Sequence, residues 1–237
     1  MALPMNTAPI YKLTVPSTGK EVEFRPFLIK EEKALLIAQQ SEDPGVMLSS
    51  IKEVIKSCVK QEIDVDSLAT FDIEYIFVQL RSKSVGEIID LTLQCDTCTD
   101  DKAVSVVNID LTKLNVTKNE KHNSNIKLFD DVGVVMKYPT IDIIKELESA
   151  EENDYEKVFD VIAKCIDTVY NSDEVFHIKE QPKAETMEFL NNLTGEQFGK
   201  IREFFDTMPV LEHSIQYKCP VCNKEHNKTL RGLESFF

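Results

Sequence analysis

The sequence contains no tryptophan, and only 7 of its 237 residues are glycine and 9 are proline. So little glycine and proline excludes collagen-like and low-complexity chains. No segment approaches the roughly 18 consecutive apolar residues of a membrane-spanning helix, so that class is excluded as well. The first five residues, Met-Ala-Leu-Pro-Met, carry no basic charge and no long apolar stretch, so no secretory signal is visible. We therefore expect a protein that folds, stays soluble and remains in a cytoplasm.

The residues that are present describe an ordinary globular protein. Apolar residues make up 42% of the chain and charged residues 29%, which is typical of folded rather than disordered proteins. A chain of 237 residues forms one large domain or two small ones.

The chain is strongly acidic, with 41 acidic and 27 basic residues and a formal net charge of -14. Residues 139–206 hold 17 acidic and 7 basic residues, whereas residues 207–237 hold 3 and 4. Proteins bind double-stranded nucleic acid largely by neutralising phosphates with Lys and Arg, so this composition argues against that function. We interpret the acidic segment as a solvated or partner-facing surface.

Six cysteines without a secretory signal argue against a disulfide framework. Four of them form two Cys-x-x-Cys pairs, and these pairs are the strongest chemical signal in the sequence. The other two, Cys58 and Cys165, lie on the apolar faces of predicted helices. A free cysteine there packs like a small hydrophobic side chain.

Strand and helix patterns together predict an α+β fold. Period-2 alternation marks the strands, and apolar residues spaced three to four apart mark the helices. Thr194 and Gln197 fit a capping box at the start of the last helix. The predicted elements are a hairpin at 11–15 and 21–24, helices at 29–40, 47–59 and 71–82, strands at 87–94 and 103–109, a loop at 117–125, a hairpin at 127–136, a helical region over 140–206, and strands at 213–217 and 228–230.

Each Cys-x-x-Cys pair lies between two strand-like segments, so we expect each pair at the tip of a β-hairpin. Two such turns together complete the tetrahedral four-thiolate site that zinc prefers. We predict that Cys95, Cys98, Cys219 and Cys222 bind one structural zinc ion in a split zinc-ribbon-like module, whose halves are 120 residues apart. Four thiolates leave no open position for water, so no catalysis is expected at the metal.

Three alternatives to this zinc site stay open at this point. A thioredoxin-like redox pair would sit at a helix N-terminus, where its thiolate is stabilised, and neither pair opens a clear helical pattern. His226 follows Cys222 by four residues and is able to replace one cysteine as a ligand. In the third alternative the pairs bind no metal.

The sequence shows none of the common catalytic motifs. It has no glycine-rich phosphate loop, no His-Glu-x-x-His and no serine in a nucleophile-elbow context. We interpret the four histidines as surface groups or neighbours of the second cysteine pair rather than as general bases. We therefore predict that the protein is not an enzyme and takes no small-molecule substrate. The four histidines are His122, His177, His213 and His226.

Residues 71–87, FDIEYIFVQLRSKSVGE, lead directly into the first cysteine hairpin. This segment resembles the baseplate hub subunit family of T-even-like contractile-tailed bacteriophages. The Leu3-Pro4 opening, residues 11–27 and residues 219–237 are similar to that family as well. The resemblance spans most of the chain and is weakest over residues 116–180.

The resemblance implies a phage morphogenesis protein that acts in the assembly of the baseplate hub. Its partners would be other hub proteins, and its place of action the host cytoplasm. A permanent place in the virion tail baseplate and a transient role as an assembly factor both stay open.

From these patterns we expect four parts of the chain. They are an N-terminal β-hairpin over 1–28, a helical core over 29–85, the split zinc-ribbon-like module of 86–115 plus 210–237, and a hairpin with an acidic helical insertion over 116–209.

A second function is a zinc-ribbon accessory protein of phage transcription or replication that binds nucleic acid. It is favoured by the basic residues near the second cysteine pair and opposed by the net charge of -14. These basic residues are Lys218, Lys224, Lys228 and Arg231.

Overall fold

A computed structural model describes residues 8–41, 43–98, 100, 102–148 and 154–233. In chain order the elements are β1 (Tyr11–Thr14), β2 (Glu21–Phe24), α1 (Ile29–Gln40), α2 (Pro44–Cys58), α3 (Thr70–Ser84), β3 (Ile88–Gln94), β4 (Val104–Asp110), β5 (Asn115–Thr117), β6 (Asn125–Phe129), β7 (Val132–Met136), α4 (Ile141–Glu148), α5 (Tyr155–Lys164), β8 (Ile166–Tyr170), β9 (Val175–His177), α6 (Lys183–Asn191), α7 (Gly195–Thr207), β10 (Val210–Lys218) and β11 (Glu225–Arg231).

The protein is mixed α+β and divides into two compact units. The first unit contains the chain up to Val65, Phe71–Thr117 and the chain from Val210 onward, and the second contains Asp66–Thr70 and Lys118–Pro209. No helix within the described ranges is long and apolar enough to cross a membrane.

In its described part the first unit contains three antiparallel sheets: the hairpin β1–β2, the hairpin β3–β4 and the three-stranded sheet β11-β10-β5. The predicted hairpin at 11–24 and the three predicted helices are confirmed. Asp43 caps α2 by accepting hydrogen bonds from the amides of Gly45 and Val46, and Pro44 occupies the first turn, where its missing N–H is harmless. β5 was not predicted, because three residues are too few to show an alternating pattern.

The apolar helix α3 is buried on several sides, as its composition predicts. Its Val78 belongs to a hydrophobic core that β3, β4, β10 and β11 also line. The core residues of this cluster are Val78, Ile89, Leu93, Ile109, Leu111, Leu114, Leu211, Ile215, Tyr217 and Leu230. The helix that carries the family resemblance therefore contributes to the same core as both cysteine hairpins.

A buried carboxyl group at the start of α3 holds the first hairpin. Asp72 is fully buried and accepts hydrogen bonds from the amide of Ser17 at 2.9 Å and from its hydroxyl at 2.5 Å. Ser17 lies in the turn between β1 and β2. The position of this turn is thus fixed by a residue 55 positions further along the chain.

We expect Asp72→Ala to lower the free energy of unfolding by about 2 kcal/mol. The substitution removes both hydrogen bonds to Ser17, and hydrogen bonds to a carboxylate contribute more than those between neutral groups. Ser17→Ala removes only the hydroxyl and should have a smaller effect. Urea unfolding of both variants measures the difference. Unchanged unfolding midpoints in Asp72→Ala would show that this contact does not hold the turn.

The second unit is built around one antiparallel sheet of order β6-β7-β8-β9, packed with α4 to α7. The capping box of Thr194 and Gln197 at the start of α7 is confirmed. The core residues of this unit are Leu128, Val134, Met136, Ile162, Ala163, Cys165, Ile166, Leu190, Ile201 and Phe204.

The prediction of a helical region over 140–206 is wrong in its middle. Helix α5 ends at Lys164, Cys165 caps it, and the chain continues as β8 and β9. The sequence suggests a helix here because Ile166, Val169 and Tyr170 of β8 also match the helical spacing. A short apolar run is ambiguous between the two periods, and here the β-branched residues of Ile-Asp-Thr-Val favour the strand.

Candidate metal centre

The first cysteine pair lies at the tip of the hairpin formed by β3 and β4. These strands pair from Ile88 with Asp110 to Gln94 with Val104. Cys95 follows directly, and its amide donates to the carbonyl of Ala103 at 2.9 Å, which closes the base of the loop.

The second pair lies at the tip of the hairpin formed by β10 and β11, paired from Glu212 with Arg231 to Lys218 with Glu225. The amide of Cys219 donates to the carbonyl of Lys224 at 2.9 Å. Asn223 has a φ of 58°, a left-handed conformation that asparagine tolerates better than most residues and that lets the chain turn back tightly.

The two loops are built alike around their first cysteine. The Sγ of Cys95 accepts from the amide of Thr97 at 3.5 Å, and the Sγ of Cys219 accepts from the amide of Val221 at 3.4 Å. In both loops, therefore, the first cysteine of the pair accepts a hydrogen bond from the backbone amide two residues after it.

The structure brings all four predicted residues together. Their sulfur atoms all lie within 4.8 Å of one another, with Cys95 and Cys222 3.9 Å apart and Cys98 and Cys219 3.8 Å apart. A tetrahedral zinc ion with bonds of about 2.3 Å would separate its sulfur ligands by about 3.8 Å. A disulfide would need sulfurs about 2.05 Å apart. The spacing fits a shared ion and does not fit a disulfide.

Hydrogen bonding within the cluster lowers the pKa of two of its thiols and raises that of a third. Hydrogen bonds from the hydroxyl and the amide of Thr97 lower the pKa of Cys95 to about 5. The amide of Lys224 lowers the pKa of Cys222, whereas hydrogen bonding to Cys222 and burial raise the pKa of Cys98 to about 12. Thiolate is the form that binds metal.

His226 lies beside the cluster, on β11. Its Nε2 is 3.2 Å from the sulfur of Cys95, and its ring stacks on Tyr217 with centroids 5.1 Å apart. At this position it serves either as a hydrogen-bond donor to the Cys95 thiolate or as a ligand. Of the other histidines, His213 lies on β10 opposite Leu230, and His177 is exposed on β9.

The other two cysteines are not among the four that form this cluster, and both are buried. Cys58 ends α2, and burial raises its pKa to about 11. Cys165 follows α5 in the core of the second unit, where burial raises its pKa to about 12. Within the described residues neither Cys-x-x-Cys pair begins a helix, so the geometry expected of a thioredoxin-like redox pair is not found there.

Sequence reasoning missed a second polar cluster, in the loop before β6. His122 donates or accepts through both ring nitrogens, with Thr207 Oγ1 at 3.1 Å and the hydroxyl of Tyr138 at 3.0 Å. Its ring packs against Phe204, with centroids 5.0 Å apart. The surrounding stretch is polar in sequence, so it gives no sign that this ring is half-buried. All the contacting residues belong to the second unit.

Burial lowers the pKa of His122 below its ordinary value of 6.5. The unfolded chain therefore takes up this proton more readily than the folded one, so stability is present above about pH 6.5 and falls as the pH drops below it. We expect His122→Gln to weaken this pH dependence of the urea midpoint between pH 7 and 5, and the exposed His177→Gln to leave it unchanged. Identical slopes in wild type and His122→Gln would contradict this assignment.

Comparison with known proteins places the chain in a family. The family model described as "T4 bacteriophage base plate protein" matches residues 8–237, and the chain belongs to this family. Among individual relatives, the chain is similar to the baseplate hub assembly protein gp26 of Enterobacteria phage T4. The two are 21% identical over 227 residues, which cover 96% of this chain and 97% of that protein. No solved structure matches the chain significantly. The predicted resemblance to the phage baseplate family is confirmed.

Proposed function

We propose that this protein acts in the assembly of the central hub of a phage tail baseplate, through contacts with other hub proteins and without catalysis. The observation that carries the proposal is the similarity to a hub assembly protein over nearly the whole length of both chains. The protein would act in the cytoplasm of the infected cell and at the tail baseplate.

Composition supports a protein partner rather than nucleic acid. The net charge of -14 would repel phosphates, and Arg231, one of the basic residues near the second cysteine pair, is paired with Glu212 at 3.2 Å. Filter binding to DNA and RNA at several salt concentrations tests the competing function. Binding that weakens steeply with salt would favour the nucleic-acid accessory protein.

We further propose that Cys95, Cys98, Cys219 and Cys222 hold one structural zinc ion. The sulfur spacing supports this assignment. The ion would join the β10–β11 hairpin to the β3–β4 hairpin. With four thiolates it would leave no position for a substrate or a water molecule. His226 would then donate a hydrogen bond to Cys95 rather than replace a ligand.

Disruption of the gene in the phage tests the assembly function. We expect infected cells to accumulate baseplates without hubs, visible by electron microscopy, and a plasmid copy of the gene to restore complete tails. Normal tails in the disrupted phage would overturn the proposal.

A further inference from the structure

The sheet of the second unit ends in a strand with an unpaired edge. Strand β9 pairs with β8, and among the described residues no strand pairs with its other side. Its Val175 is 61% exposed and its Phe176 37% exposed. Natural proteins usually protect such edges with charges, proline or a covering element, because a free edge readily pairs with another chain.

An apolar cavity of about 220 Å³ opens between this edge and α6. Val169 on β8 and Phe176 on β9 are directly paired in register, so their side chains share one face of the sheet. Both line the cavity, and α6 closes the other side with Thr186 and Phe189. An apolar cavity of about 150 Å³ accommodates benzene, so this one has room for a large apolar side chain.

A buried polar atom lies in the wall of the same cavity. The hydroxyl of Thr186 has no hydrogen-bond partner within the described structure, although the residue is only 4% exposed. A buried hydroxyl left without a partner is unfavourable, so the wall offers an unused hydrogen-bonding group.

The surface around the cavity is negatively charged. Residues 171–188 contain five acidic and two basic residues. Glu185 lines the cavity at its exposed rim, and one of the two basic residues, Lys183, is already paired with Asp160. This charge favours a basic occupant over a second copy of the acidic chain.

We propose that β9 and the cavity form a docking site for an extended, basic segment of a hub protein. The segment adds to the free edge of β9 as a further strand and inserts one large apolar side chain beside Phe176. Main-chain hydrogen bonds give affinity in such strand addition, and the side-chain pocket gives specificity. Basic residues of the segment lie near Glu185. This proposal rests on the assembly function and names the class of partner.

Complementation of the gene-disrupted phage tests the site. Val175→Lys and Glu185→Lys place positive charge on exposed positions of the edge and the rim, so folding should be kept, and circular dichroism checks this. The matched control is Val106→Lys, on β4 in the first unit, where Val106 is 64% exposed. We expect complementation with the double variant Val175→Lys/Glu185→Lys to give a phage yield at least tenfold below that obtained with the wild-type gene, and complementation with the control variant to give the full wild-type yield.

Full complementation by the folded double variant would overturn the docking site while leaving the assembly function intact. If the disrupted phage forms normal tails, the assembly function itself fails.

Photo-crosslinking identifies the occupant. A benzoylphenylalanine placed at Phe176, in protein made during infection, should crosslink to a basic, apolar segment of a hub protein, identified by mass spectrometry. The same probe at Val106 should not capture that segment. A crosslink from Phe176 to another copy of this chain, or to an acidic segment, would overturn the proposal, as would the absence of any crosslink.

Discussion

Replacing Cys95 or Cys222 with serine is expected to lower the soluble yield sharply and to remove the cooperative unfolding transition of the first unit. Each substitution would remove a ligand from the proposed zinc site, which would exist only in the folded chain, so metal binding would no longer contribute to folding. A zinc ion shared by the two cysteine pairs would also close a loop of about 120 residues between Cys98 and Cys219. By loop-closure entropy, a crosslink around a loop of that length stabilises by about 5 kcal/mol. Such a loss is comparable with the whole stability of many domains.

The buried single cysteines provide the matched controls. Cys58→Ala and Cys165→Ala remove the same chemical group from the cores at the end of α2 and after α5. Each should lower the free energy of unfolding by only about 1–2 kcal/mol, the usual penalty for a small cavity. Soluble yield and urea unfolding measure all four variants. Equal losses in both groups would mean that the paired cysteines only fill space.

Removal of the metal by a chelator is expected to release the C-terminal hairpin before the rest of the protein unfolds. Strands β10 and β11 belong to the first unit although they come from the C-terminal part of the chain. The loop between them carries Cys219 and Cys222, whose sulfurs lie next to those of Cys95 and Cys98. Without the ion, four thiols must share this small space, and the thiolates repel one another. The hairpin should then open locally while the second unit keeps its own core.

Limited proteolysis followed by mass spectrometry measures this opening. We expect early cleavage within residues 217–231 after chelation, and protection of the same residues when zinc is added back. The second unit, probed by cleavage within α5 and α7, is the internal control. Cleavage that starts in the second unit, or a pattern unaffected by the chelator, would contradict the role given to the metal.

The two cysteine hairpins and the buried helix α3 could be predicted from the sequence, because the residue patterns that indicate them are local. Both cysteine pairs are flanked by alternating strands, and a pair between two such strands falls at a hairpin tip. The approach of the two pairs to each other followed from the chemistry of a tetrahedral ion, which needs four ligands. The apolar composition of α3 likewise predicted its burial.

Other features could not be predicted, because they depend on contacts between distant residues. The end of α5 at Lys164 and the start of β8 at Ile166 are decided by pairing with β7, since the sequence there fits both periods. His122 is half-buried because residues distant in the sequence, among them Tyr138 and Thr207, contact its ring. The cavity beside Phe176 arises from the spacing between the sheet and α6, which no periodicity encodes.

The most direct test of the proposed centre is elemental analysis of protein purified without chelator. We predict one zinc ion per chain in the wild type and in the Cys58→Ala, Cys165→Ala and His226→Ala variants. We predict no zinc in Cys95→Ser and Cys222→Ser. A wild-type protein without metal, whose four paired cysteines all react with a thiol reagent in the native state, would contradict the proposed zinc site.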